Sequence, residues 1–348
     1  MNIQKCLLLS VVFGAVSALS AQSTTTLLDD TFTSGTGTGA TGYLGKSGAN
    51  NAGTPGVQDP DSGPTTSTAF WYGNNSTYSS TGTPPQGTDP ESYNTGSGIA
   101  LTNAATTQSV TANFENSGSY ASLASGDLTM SFDFKFTGAT VPTFQATGIR
   151  FLLFNSGSTG SLDNQLTKNT ANSGGTNANS ANWTGYLAGF DAGAQAGTTG
   201  IATLYNRANG GAPSANYIAT APGLNLGTAS GPTAGMNLTD TYQAELTLHE
   251  VNSGEVNLAF SMEDLTTSTD LSPYDFNVND TGATGAVATS FDGLTIGELS
   301  GENTPMLITN VSVFQAIPEP STYAAVLGLA SLGLAGIRSR RQRRMLAA

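Results

Sequence analysis

The 348-residue chain is poor in the side chains that most often carry chemistry: it has one cysteine, one histidine and two tryptophans. Cys6 lies in an apolar N-terminal run that leaves with a secretory leader, so the mature chain holds no disulfide, redox pair or thiolate metal site. With His249 as the one histidine, a His/Cys zinc centre is excluded and a Ser-His-Asp triad has a single base to use. Positive charge is scarce as well. Of 11 Lys and Arg, five crowd the C-terminus as Arg338, Arg340, Arg341, Arg343 and Arg344. Between residues 22 and 316 only Lys46, Lys135, Arg150, Lys168 and Arg207 stand against 23 of the 24 Asp and Glu. So acidic a body repels phosphate polymers, and nucleic acid is not expected as a partner. Charges of both signs make up only 10% of the sequence; helical periodicity is missing from the mature body, and so is any internal repeat. Gly, Ser, Thr, Asn and Ala fill the space instead. This is the composition of an exported β-rich protein with long turns, dissolved by hydroxyls and amides more than by charges.

Both ends carry targeting signals. Lys5, the apolar run from Cys6 to Ala18 and the small residues before Gln22 make a signal peptide over residues 1–21, cut after Ser20 or Ala21. At the other end, Ile317-Pro318-Glu319-Pro320-Ser321 is followed by an uncharged run from Tyr323 to Ile337 and then by the five arginines. A helix over about 322–337, rising ~1.5 Å per residue, reaches somewhat over ~20 Å of a ~30 Å hydrocarbon core. It spans only if the arginines snorkel or the bilayer thins. Those arginines hold the tail in the cytoplasm and leave the body outside. Pro318 and Pro320 keep the segment before the helix extended and deny it backbone donors.

This three-part order resembles the PEP-CTERM sorting signal of Gram-negative bacteria. The resemblance covers residues 317–348 and implies processing at Pro318, Glu319 and Pro320 by an exosortase, a membrane transpeptidase-like enzyme. Ile317 stands where valine is commoner. The implied route is an inner-membrane-anchored intermediate, then the cell surface or extracellular matrix.

The body, residues 22–316, reads as strands separated by long polar loops. Thr25 to Phe32 opens it, and a loop from Thr33 to about Thr68 follows. Short apolar runs come next at Ala69 to Tyr72, Ile99 to Leu101 and Ser109 to Phe114. From Asp127 to Thr137, Leu128, Met130, Phe132, Phe134 and Phe136 alternate with Thr129, Ser131, Asp133 and Lys135, which predicts a strand with one wet face. Ile149 to Phe154 is apolar on both faces apart from Arg150, which predicts a strand covered on both sides. Asn155 to Asn182 reads as a loop, and Trp183 to Asp191 and Ile201 to Arg207 as strands. Residues 208–240 offer little. Tyr242 to His249 and Val256 to Met262 alternate about Asn252-Ser253-Gly254 and predict a hairpin. Phe291 to Ile296 and Leu307 to Phe314 close the body.

About a dozen strands without a repeat predict an all-β fold, one antiparallel two-sheet β-sandwich. Asp29-Asp30-Thr31-Phe32 and Ile308-Thr309-Asn310-Val311-Ser312-Val313 resemble the ends of concanavalin A-like and LamG-like jelly rolls. In that family the first and last strands pair, which would bring the membrane tail straight off the closing strand.

Candidate chemistry is sparse. Exposed aromatics beside amides stack on sugar rings, and Trp71, Tyr72, Trp183 and Tyr186, near Asn74, Asn75 and Asn182, are the candidates for glycan binding; the same side chains equally suit the core. For calcium, Asp59 and Asp61, and Asp275, Asn277 and Asn279, place oxygen ligands on alternate residues, although neither run completes an EF-hand. Glu245 and His249 share a strand face, with Glu255 and Glu263 across the hairpin, but the carboxylate pattern of a sandwich glycosidase is missing. No catalytic constellation results. The expected role is a structural or adhesive one at the cell surface or in the matrix. The competing readings are a lectin-like polysaccharide-binding module and a glycan-active enzyme.

Overall fold

A computed structural model describes residues 23–31, 42–43, 72–74, 92–94, 98–101, 108–115, 119–137, 148–156, 183–192, 202–207, 223–229, 236–283, 285–298 and 306–317. The chain divides into two compact units, Thr25–Gln315 and a second formed by Met1–Thr24 with Ala316–Ala348. Of the second only Ser23, Thr24, Ala316 and Ile317 are described. The expected signal peptide and the helix at 322–337 lie outside the described residues. Among those described, no helix is long and apolar enough to cross a membrane.

In chain order the strands are β1 (Ser23–Asp30), β2 (Gly42–Tyr43), β3 (Tyr72–Asn74), β4 (Ser92–Asn94), β5 (Ile99–Leu101), β6 (Gln108–Asn113) and β7 (Ala121–Ser122). Then come β8 (Asp127–Phe136), β9 (Ile149–Asn155), β10 (Thr184–Phe190), β11 (Ala202–Arg207), β12 (Leu224–Ala229), β13 (Tyr242–Asn252) and β14 (Glu255–Asp264). The last are β15 (Thr269–Asp270), β16 (Phe276–Asp280), β17 (Ser290–Phe291), β18 (Gly293–Glu298) and β19 (Met306–Ile317). One sheet runs β15-β14-β13-β8-β19-β5-β4-β2, with β16 also on β14 and β1 on β19; the second runs β12-β11-β10-β9-β18-β6-β3; β7 and β17 make a small ribbon. The first and last strands pair, as the sequence resemblance implied.

The two large sheets pack face to face because each long strand alternates. Phe132 and Phe134 of β8, with Phe260 of β14, meet Phe151 of β9 and Phe190 of β10 across the core. Ring centroids lie 5.1 Å apart for Phe132–Phe151, 5.6 Å for Phe134–Phe190 and 5.9 Å for Phe151–Phe260. Such aromatic pairs add about 0.5–1.5 kcal/mol each beyond the area they bury. The hairpin is as expected: Leu246 faces Phe260 and Leu248 faces Leu258, and the Asn252 side chain accepts from the Gly254 amide at 3.0 Å to close the turn. Strand β9 is buried on both faces, again as expected. Its Arg150 stands between Gly189 and Gly297 of its neighbours, where no side chain competes for the space.

Three expectations fail. The polar face of β8 is not wet at its centre, because Thr129 and Ser131 are buried and their hydroxyls bond sideways to those of Thr247 (2.9 Å) and Ser312 (2.8 Å). Strands β2, β4 and β12 fall in stretches read as loop or as featureless, being too short or too polar to show a period. Phe291 to Ile296 is two strands, broken at Asp292.

Candidate functional site

The closing strand carries the chain to its tail. Along β19, Val311 and Val313 point into the core, while Ser312 faces the other way and meets Ser131. Gln315 is 7% exposed, and its amide nitrogen donates both to the carbonyl of Ser122 (2.6 Å) and to that of Gly126 (3.2 Å), at the two ends of the turn leading into β8. The described strand reaches Ile317, and the next residue in sequence, Pro318, has no amide hydrogen with which to continue a ladder. Pro318, Glu319 and Pro320 and the five arginines lie outside the described residues.

The outer face of the larger sheet is a grid of hydroxyls, amides and carboxylates. Gln243 donates to Asp133 at 2.8 Å, and Asp133 also accepts from Asn310 at 3.4 Å. Glu245 faces Ser131 on one neighbour and Ser261 on the other, whereas Glu263 faces Gln243. The two carboxylates are therefore diagonal rather than opposed. Burial lifts the Glu245 carboxyl above the ordinary carboxylate range, and a bond from Thr247 opposes the shift. Glu255 is taken up by the turn, accepting from Asn252 (3.0 Å) and Asn279 (2.6 Å). His249 is 54% exposed, with Nδ1 2.6 Å from Asp127 Oδ1. Its cross-strand neighbour on β14 is Asn257, not a hydroxyl that such a pair could activate.

Two of the aromatics proposed for glycan stacking are corrected by their burial. Trp183 and Tyr186 are both 0% exposed. Trp183 lies flat on Phe154, centroids 4.2 Å apart and planes 5° off parallel, and its carbonyl accepts from Arg207 Nε at 3.2 Å. Tyr186 points its hydroxyl at Asp280. Neither offers a free ring face. Tyr72 starts β3, opposite Thr111; Trp71 lies outside the described residues.

The second calcium run is corrected too. It forms strand β16 rather than a loop, so Asn277 and Asn279 are spread about 6.7 Å apart along one face. Asn279 is spent on Glu255 and Asn257, and Asp275 caps the Met262 amide at 3.2 Å. Oxygens spaced along a strand do not converge on one ion. Asp59 and Asp61 lie outside the described residues. Among the described residues no three His, Cys, Asp or Glu side chains are grouped to hold a metal.

Among the buried carboxylates, Asp280 and Asp292 tie distant elements together, which the sequence reading missed. Asp280 is 2% exposed. It accepts from the Tyr186 hydroxyl (3.0 Å), the Asn206 amide and the Gly282 backbone (3.0 Å), joining β10 and β11 of one sheet to β16 of the other. Asp292, between β17 and β18, accepts from the Ser156 amide (2.9 Å) and hydroxyl, while its carbonyl takes the amides of Phe114 and Glu115. Burial pushes the Asp292 carboxyl up to about 6; the Ser156 bonds pull it down, and the Glu115 charge adds to the rise. Glu115 is itself raised by burial. An aspartate inside an otherwise apolar run, as in Phe291-Asp292-Gly293-Leu294, was the available signal.

Comparison with known proteins identifies the tail. Residues 316–344 match the PEP-CTERM protein-sorting motif. No curated protein matches the chain. Solved structures of similar fold include the Lotus tetragonolobus seed lectin isoform, at 11% identity and TM-score 0.35, covering 72% of this chain and 94% of that one. The VIP36 exoplasmic/lumenal domain with bound Ca2+ and Man3GlcNAc gives 12% and 0.41, covering 73% and 86%. The potassium-bound carbohydrate recognition domain of Emp46p gives 12% and 0.36, covering 64% and 85%. The sandwich stands on its own strand pairing and core.

Proposed function

We propose that this is an exported cell-surface or extracellular-matrix protein, sorted and processed through its C-terminal motif, whose β-sandwich body serves a structural or adhesive role and is not an enzyme. The observation that carries the reading is the sorting motif at 316–344, which begins within the last strand of the sandwich. A signal of this kind implies export, and an exosortase-type enzyme is the partner it calls for. The body fits such a role through its broad polar sheet face, which is rich in hydroxyls and amides and suited to many weak contacts. Catalysis finds no support in that face, where Glu245 and Glu263 are diagonal and the residue across from His249 on β14 is Asn257, which is no nucleophile.

The test is replacement of Pro318, Glu319 and Pro320 together by alanine in cells that carry the sorting machinery. Export is expected to persist while an uncut, membrane-bound form accumulates, read by fractionation and by the mass of the released protein. Unchanged processing and location would sink the reading.

A further inference from the structure

We infer that Gln315 sets the reach of the sorting motif, and that the folded sandwich thereby restrains its own processing. The inference rests on the sorting reading above and adds a rate-controlling element to it. Its starting point is the spacing of three facts along one strand. Gln315 is the last buried residue of β19, and both donors of its amide are engaged by the carbonyls of Ser122 and Gly126. The sorting motif begins at the next residue, 316. Ala316 and Ile317, both half-buried, still belong to the strand.

Covalent geometry then limits what an enzyme can be offered. An extended chain advances at most ~3.3–3.6 Å per residue, so Pro318 lies no more than about 11 Å along the chain from a side chain clamped into the body. An enzyme that reads a peptide must hold several extended residues around it, and a packed domain that close crowds its amino-terminal side. More lead comes only from peeling Ala316 and Ile317 off the sheet, a local opening that costs far less than unfolding the sandwich. Gln315 is where peeling stops, because the next step breaks two hydrogen bonds and uncovers a buried amide. Upstream, Val311 and Val313 are packed in the core and β19 is bonded within the sheet, so no earlier residue yields cheaply. Gln315 is thus a positioning residue, acting through the length of free chain it leaves.

The experiment compares processing rates of the full precursor by pulse-chase in cells carrying the sorting machinery. Three variants are compared with wild type: a ten-residue Gly/Ser insertion between Ile317 and Pro318, Gln315→Ala, and the two combined. The insertion leaves every described contact of the body in place and is expected to speed cutting at least as much as Gln315→Ala. Loss of the clamp is expected to speed it about five- to tenfold, the value of one to two hydrogen bonds. In the combined variant Gln315→Ala should add nothing, since the motif is already free; a role confined to stability would still add its effect. An insertion that leaves the rate unchanged or slows it, or an additive Gln315→Ala effect, overturns the proposal. The Pro318, Glu319 and Pro320 alanine variant separates the two levels. If it stays uncut while the insertion has no effect, only the restraint fails; if it is cut like wild type, the sorting reading fails with it.

Discussion

Asp292 is a carboxylate kept where its charge is unwelcome. Its folded-state value of about 6 lies above the ordinary aspartate value of about 3.9, so between those limits the folded chain binds the proton that the unfolded chain has released. Stability from this group is therefore full below pH ~4 and falls as pH rises through about 6, by an amount on the order of 2 kcal/mol. Asp292→Asn keeps an acceptor for the Ser156 amide and has no charge to lose. Its stability relative to wild type should improve by roughly that amount between pH 4 and pH 7 in urea titrations; a difference that stays flat with pH would show that the buried carboxylate does not titrate in this range. Asp280 is a point where three donors converge. Asp280→Ala strands the Tyr186 hydroxyl and the Asn206 amide in the interior, takes the acceptor from the half-buried Gly282 amide, and should cost about 3 kcal/mol, read as a lower urea midpoint at unchanged slope. A loss below about 0.5 kcal/mol would mean that the tie between the sheets is not structural. The sequence could flag Asp292 as an acid in an apolar run but could not name the partners of either residue, because Ser156, Tyr186 and Asn206 lie far away in the chain.

The strands show which sequence signals hold and which do not. Where alternation runs for seven or more residues, as in β8, β13 and β14, the period of two fixed both the strand and its core face. The apolar run of β9 was also legible, since Leu152 and Phe154 leave it no polar side. The calcium run failed for a related reason: Asp275, Asn277 and Asn279 alternate with Phe276 and Val278, and the alternation was that of β16 and not of a ligand loop. The wet face of β8 was misread at Thr129 and Ser131 because these small hydroxyls are buried in mid-sheet, each bonded to a hydroxyl of an adjoining strand. That bonding makes a prediction for the β8–β19 pair. Ser312→Ala removes the partner of a buried hydroxyl and should cost about 1–2 kcal/mol, while adding Ser131→Ala takes away the stranded group and should recover part of the loss. Strictly additive costs in thermal or urea unfolding would show that the two hydroxyls do not depend on each other.

At the scale of the whole molecule the sequence was most informative at its ends. Closure of the sandwich by its first and last strands followed from a few residues, and the sorting motif from a three-part order. What the polar face of the larger sheet touches was not legible, because serine, threonine and asparagine serve solubility and recognition with the same groups. Charge nevertheless sets a direction. With 23 acidic against five basic residues over 22–316, the exported body repels polyanions, and that repulsion reaches about 8 Å at physiological salt and about 30 Å at 0.01 M. On a panel of immobilised polysaccharides, retention on neutral polymers should therefore not change with salt. Exclusion from sulfated or uronic polymers should deepen as salt falls. No reducing ends should appear in either case. Stronger retention on anionic polymers at low salt would mean that a local basic site overrides the net charge, and release of reducing ends would make the body an enzyme.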